Sequence, residues 1–149
     1  MTVEIVKACG DKYAESIAYA EKICFSEPWS LQAVKDFLSY DYNGAIAALV
    51  NGEFAGYITY TEICGEIQIA NVATLPQFRR NGVALQLLEV LLRIAENNND
   101  STVTLEVRAS NFGAIALYKR IGFEKIGERK GFYKNPADDA VLMNYAFQE

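Results

Sequence analysis

The hydrophobic period of this chain changes at Pro76, and that change constrains the fold more than any other feature. Before it, apolar residues gather in the short runs 45–50, 54–62 and 66–74. After it, Leu85, Leu88, Leu91, Leu92 and Ala95 recur at helical spacing as far as Asn97-Asn98-Asn99-Asp100. A strand that passes straight into a one-sided helix must bury that helix face on its own sheet, so a layered α/β domain is expected. Asn51-Gly52 separates the first two runs, and Gly65 sets off the third. Asn and Gly both tolerate positive φ, so the first junction reads as a two-residue hairpin turn.

The remaining pattern extends this plan. Residues 3–7 read as a strand, and from Asp11 the spacing of Tyr13, Ile17, Ala20 and Cys24 predicts a helix. Glu27-Pro28-Trp29 is a loop, after which Ser30 can cap a helix bearing Leu31, Val34, Phe37 and Leu38. Strand 102–108 follows, then a helix capped by Asn111 with Ile115, Leu117 and Tyr118, ended by Gly122. Strands 124–130 and 140–145 finish the chain. The expected order is β-α-α-β-β-β-α-β-α-β-β. It predicts one α/β (mixed α+β) domain over 1–149, with a mixed central sheet of about six to seven strands and helices on both faces.

Composition limits the chemistry. Histidine is absent from all 149 residues. A Ser/His or Cys/His nucleophile pair is therefore impossible, and a metal site, which would need carboxylates and scattered thiols, is not expected. Acid and base work falls to Glu, Asp, Tyr, Lys or Cys. Cys9, Cys24 and Cys64 have no CxxC spacing and are expected as reduced, buried thiols. A formal charge of −5 gives no long-range attraction to nucleic acid or anionic lipid. Charges break the apolar runs well short of the ~20 residues that cross a bilayer. Met1-Thr2-Val3-Glu4 lacks the basic start and apolar stretch of a signal peptide, so a cytoplasmic location, with neither membrane nor nucleic acid as direct partner, is expected.

Two segments can carry chemistry. In Arg79-Arg80-Asn81-Gly82-Val83-Ala84 a strand crosses into a helix whose first N–H groups are unpaired, whose dipole is positive at that end, and whose glycine admits close backbone approach. This can capture an anion, or it can be an ordinary connection with two solvated arginines. In strand 102–108, Val103, Leu105 and Val107 alternate onto one face and leave Thr104, Glu106 and Arg108 on the other. Glu106 is then either functional, solvated, or paired with Arg108. Tyr118 can be a packing tyrosine with its hydroxyl at the rim, and Asn111 can be a helix cap alone.

The run from Pro76 to Ala84 resembles the acetyl-CoA signature of the GNAT acetyltransferases, Arg/Gln-x-x-Gly-x-Gly/Ala. The block Leu105-Glu106-Val107-Arg108-Ala109-Ser110-Asn111, with Ala114 to Tyr118 and Gly122-Phe123, is similar to the ribosomal-protein-alanine N-acetyltransferases, and the similarity extends from Pro28-Trp29-Ser30 to Asp138-Asp139-Ala140. The resemblance implies acetyl-CoA as co-substrate and a protein N-terminus, that of a small-subunit ribosomal protein, as partner. It places pyrophosphate against the backbone of Arg80, Asn81, Gly82, Val83, Ala84 and Leu85, with Arg79 beside it. Pantetheine would pair with Val72, Ala73 and Thr74, and Asn111 would contact CoA. Glu106 becomes the general base and Tyr118 the general acid, with an oxyanion donor near Ala73. Trp29, Phe132 and Tyr133 would border the peptide groove, although relatives usually carry tyrosine where this chain has Phe132, and valine where it has Thr74. The implied reaction is direct transfer in a ternary complex, since Cys64 has no activating neighbour. A small-amine acetyltransferase and a non-catalytic acyl-CoA-binding domain are the rival readings.

Overall fold

The structure is a computed structural model that describes residues 2–8 and 10–148; the expectation for Cys9 lies outside the described residues. Its strands and helices follow the expected order: β1 (Val3–Lys7), α1 (Ala14–Cys24), α2 (Leu31–Leu38), β2 (Asn43–Val50), β3 (Glu53–Ile63), β4 (Glu66–Thr74), α3 (Val83–Asn97), β5 (Thr102–Arg108), α4 (Phe112–Ile121), β6 (Glu124–Tyr133) and β7 (Asp138–Ala146). One extra 3-10 turn, Pro76–Phe78, lies between β4 and α3. Local chemistry sets the boundaries. Asn51 and Gly52 have φ of 51° and 85°, the left-handed pair that closes a tight hairpin. Ser30 Oγ accepts from the Ala33 N–H at 3.1 Å, and Asn111 Oδ1 from the Ala114 N–H at 3.2 Å.

The strands form a seven-stranded sheet in the order β1-β2-β3-β4-β5-β7-β6. Among the described residues only β4 and β5 run parallel. β7 inserts between β5 and β6, which leaves β6 on an edge with most of its residues exposed. Both final strands exceed expectation, because β6 carries register shifts at 125–127 and 129–133 and its outer half pairs only at Tyr133 with Asp138. One sheet face is covered by α3 and α4, with Leu87, Leu88, Leu91 and Tyr118 packed on Ile58, Ile67, Val103 and Leu105. The other is covered by α1 and α2, with Ile17, Ala20 and Val34 packed beside Tyr57, Ala73 and Leu75. Among the described residues no helix is long and apolar enough to cross a membrane.

Asp100 closes the α3–β5 turn with its backbone N–H bonded to the Ala95 carbonyl at 2.9 Å. Its side chain is buried, and Oδ2 has no hydrogen-bond partner among the described residues. Burial first, and then the neighbouring Glu62, push its pKa up from 3.8 to about 7. Between those values the folded protein holds a proton that the unfolded chain releases, so stability falls as pH rises through that window. A thermal melt series should show the midpoint dropping from pH 5 to pH 7.5. Asp100→Asn, which keeps a donor but no charge, should flatten the slope and raise the midpoint at pH 7.5. A variant less stable than the parent at pH 7.5 would contradict this.

Candidate active site

The site begins where the sheet comes apart. β4 pairs with β5 only through Glu66, Ile67 and Gln68, opposite Thr102, Val103 and Thr104. Beyond these residues the two parallel strands diverge. A bulge explains the turn of β4: Asn71 faces Thr59 and Ile69 faces Tyr60, so Ala70 is the extra residue. The bulge also reverses side-chain parity, because Ile67 and Ile69 pack on the α3 face while Ala73 and Leu75 pack on the α1 face. The resulting wedge contains two adjoining cavities, about 710 Å³ and 640 Å³, that share Val72, Asn111 and Tyr118 on their walls.

The smaller cavity gathers the residues expected to hold CoA. Val72, Ala73, Thr74, Arg79, Arg80, Gly82, Val83, Ala84, Leu85 and Asn111 all line it. Asn81 does not; its amide turns back toward the carbonyls of Phe78 and Arg79 at 3.4 and 3.3 Å and so shapes the loop. Arg80 and Gly82 have φ of 68° and 73°, and the first bond within α3 runs from the Gln86 N–H to the Gly82 carbonyl. The N–H groups of Val83, Ala84 and Leu85 are thereby left to face an anion at the positive end of α3. A Cβ built on Gly82 meets nothing within 4 Å, so the space beside it is open. Arg79 is partly committed elsewhere: its Nε donates to the Thr74 carbonyl at 3.0 Å, tying the loop to the end of β4.

Strand alternation orients the β4 backbone. Leu75 N–H bonds to the Ala55 carbonyl, so Ala73, opposite Tyr57, also directs its amide toward β3, whereas Val72 and Thr74 direct theirs into the cleft. Gly56 makes close pairing possible here, since a Cβ at that position would stand 2.5 Å from the Ala73 carbonyl oxygen. The cleft-facing amide nearest the junction therefore belongs to Val72 rather than to Ala73.

Glu106 and Tyr118 reach the larger cavity from opposite sheet faces. The Glu106 side chain is 33% exposed, and Oε1 stands 3.7 Å from Nη2 of Arg129. The alternative pairing with Arg108 is not formed. Arg108 instead donates to the carbonyls of Lys134 and Pro136, at 2.8 Å each, and its guanidinium lies 4.6 Å from the centre of the Tyr133 ring. Tyr118 is 7% exposed and packs on Phe123. Burial, and secondarily Tyr133, push its phenol up to about 12. It keeps its proton across the working pH range.

Trp29, Phe132 and Tyr133 also line the larger cavity, from the α1–α2 loop on one side and the β6–β7 hairpin on the other. Phe132 is 46% exposed, with its ring edge-on to Tyr133. Sequence reasoning missed two further wall residues. Cys24 faces both cavities, and Cys64 is exposed at the β3–β4 turn with φ of 56°, so the expectation of buried thiols fails for both. Glu21 is fully buried on the inner face of α1 and yet touches the cavity. Its position four residues after Ile17, on the stripe used to predict the helix, was the available signal. Among the described residues no group of His, Cys, Asp and Glu is placed to hold a metal ion.

The fold that carries this wedge has its counterpart in a known family. The chain belongs to the acetyltransferase (GNAT) family, which it matches over residues 14–123, and it is an acetyl-CoA-dependent N-acetyltransferase. Within that family it is 36% identical over 95 residues to the [ribosomal protein bS18]-alanine N-acetyltransferase of Escherichia coli, covering 62% of this chain and 64% of that enzyme. It is 29% identical over 121 residues to the N-alpha-acetyltransferase RimI of Mycobacterium tuberculosis, covering 78% and 75%. The crystal structure of the Escherichia coli ribosomal-protein-S18-alanine N-acetyltransferase superposes with a TM-score of 0.92 at 26% identity, over 99% of this chain and 96% of that one.

Proposed function

We propose that this enzyme acetylates the N-terminal α-amino group of a protein, with the N-terminal alanine of a small-subunit ribosomal protein as its acceptor. The observation that carries the reading is the pair of cavities meeting at Tyr118, one with a phosphate cradle and the other with a carboxylate on its wall. The names of the two relatives support the acceptor class.

In this reading the amides of Val83, Ala84 and Leu85 bind the pyrophosphate with Arg80 beside them, and the cleft-facing backbone of Val72 and Thr74 pairs with pantetheine. Asn111, already spent on its own helix cap, borders the arm. The Val72 N–H is aimed where negative charge develops on the thioester oxygen. Glu106 takes the proton from the α-ammonium, directly or through water, and the neutral amine attacks the carbonyl carbon. The tetrahedral adduct collapses, the carbon–sulfur bond breaks, and Tyr118 gives its proton to the departing sulfur; the second proton lost from the adduct nitrogen passes through water to restore Tyr118, and Glu106 returns its own to solvent. No acetyl-enzyme forms.

Glu106→Gln should lower kcat at pH 7 by about 10² and regain much of the loss at pH 9, where solvent has already deprotonated the α-amine. A pH-independent defect would remove the base assignment. The acceptor itself is tested by incubating enzyme and acetyl-CoA with a panel of peptides that differ in the first residue and mapping the modified nitrogen by mass spectrometry. Preference for alanine over bulky first residues is expected. Indifference to that residue would move the reading to a small-amine acceptor.

A further inference from the structure

We propose that Glu21 is a positioning residue for the acceptor: it clamps the α1–α2 loop to the bulged strand β4 and so fixes the wall that carries Trp29. This inference rests on the larger cavity being the acceptor site. Glu21 is 1% exposed and forms no ion pair among the described residues. Its two carboxyl oxygens accept hydrogen bonds from three separate elements. Oε1 accepts from the Trp29 backbone N–H at 2.9 Å, and Oε2 accepts from Asn71 Nδ2 at 2.8 Å and from the Tyr57 hydroxyl.

The loop end of this cluster does more than fill a core. The Trp29 amide has no strand or helix to bond to, since it precedes the Ser30 cap of α2. An N–H partly shielded from water and left without an acceptor is destabilising, so the carboxylate decides where that residue sits. The strand end depends on the bulge at Ala70, which brings Asn71 onto the α1 face within reach of Glu21. Asn71 lies in the part of β4 that has already left β5, beside Val72. The clamp therefore spans the cavity from its tryptophan wall to the strand that takes the acetyl donor. An apolar side chain of the same length would fill the volume equally well and hold neither end.

The test uses the fact that Trp29 is the sole tryptophan of the chain. Glu21→Met keeps the side-chain length and removes both acceptors. It should raise acrylamide quenching of Trp29 about twofold at temperatures well below melting, and raise the KM for an alanine-initiated peptide about tenfold, as expected for losing the one hydrogen bond that holds the loop. The KM for acetyl-CoA should stay within about twofold. Glu21→Gln can turn its oxygen to the Trp29 amide and donate its NH2 to the Tyr57 hydroxyl oxygen and, once the Asn71 amide flips, to Asn71 Oδ1, so it should restore both readouts toward the parent. Tyr57→Phe, which removes a donor on the sheet side alone, should leave both unchanged. In the unmodified enzyme, the Trp29 amide should exchange with deuterium about a hundredfold more slowly than that of Glu27, a measurement that needs no variant to fold. Unchanged quenching or unchanged peptide KM in Glu21→Met, a parallel rise in acetyl-CoA KM, or fast exchange at Trp29 would overturn the proposal. If the parent leaves the peptide unmodified, the acceptor assignment fails, while quenching and exchange still decide the clamp.

Discussion

Tyr118→Phe is expected to lower kcat about a hundredfold, the lower end of what a positioned general acid supplies, with the KM of acetyl-CoA within about threefold of the parent. Tyr118 lines both cavities, and burial holds the phenol at about 12. Across pH 6 to 9 the phenol is therefore protonated, so the loss should be the same at every pH in that range. This separates it from the base, whose removal is rescued as pH rises. Stability should change little, because the ring keeps its packing on Phe123. A Tyr118→Phe enzyme as active as the parent would leave the departing thiolate without a donor from this chain and would end the assignment.

Gly82→Val is expected to weaken acetyl-CoA binding about a hundredfold, by two effects that add. The backbone there has φ of 73°, where a β-branched residue is strained by roughly 1–3 kcal/mol. The new side chain would also occupy open space beside the unpaired amides of α3. Acetyl-CoA at a hundred times its Kd stabilises the parent by ~2.7 kcal/mol; after a hundredfold loss of affinity the same concentration contributes only ~0.4 kcal/mol. The ligand-induced rise in melting temperature should therefore nearly vanish. Gly82→Ala carries the same backbone strain with less bulk and should fall between the two. Normal acetyl-CoA binding by the valine variant would mean that the α3 end is not the phosphate site.

Much of this site is written locally in the sequence. Ser30, Asn111 and Asn51-Gly52 each fix a boundary through a short-range hydrogen bond or a left-handed pair, and all three appear where the residues place them. β5 has its expected bounds because Val103, Leu105 and Val107 alternate without interruption. The wedge between β4 and β5 has no such signature. It arises from one unpaired residue, Ala70, in a strand whose hydrophobicity reads as continuous, and from pairing that stops after Gln68. The insertion of β7 between β5 and β6 is likewise a long-range choice, and the partners of Arg108 follow from it, because the β6–β7 hairpin brings the Lys134 and Pro136 carbonyls to the guanidinium. Glu21 was hidden for a different reason. Its place on the apolar stripe signals burial, but its partners Tyr57 and Asn71, 36 and 50 residues away, converge on it only in the fold.

The central claim is that the acceptor is a protein α-amine. At pH 7.5 about a third of an α-amine with pKa ~7.7–8.0 is neutral, against about a thousandth of a lysine with pKa ~10.4. A carboxylate base such as Glu106 cannot readily remove that handicap of roughly two orders of magnitude. The most direct measurement uses two peptides of identical sequence beginning Ala-Arg and containing one internal lysine, one with a free and one with a blocked N-terminus. Incubated with the enzyme and acetyl-CoA at pH 7.5 and read by mass spectrometry, the free peptide should gain one acetyl group on the alanine nitrogen and the blocked peptide none above background. Substantial acetylation of the blocked peptide would contradict the claim and assign the enzyme to lysine side chains or small amines.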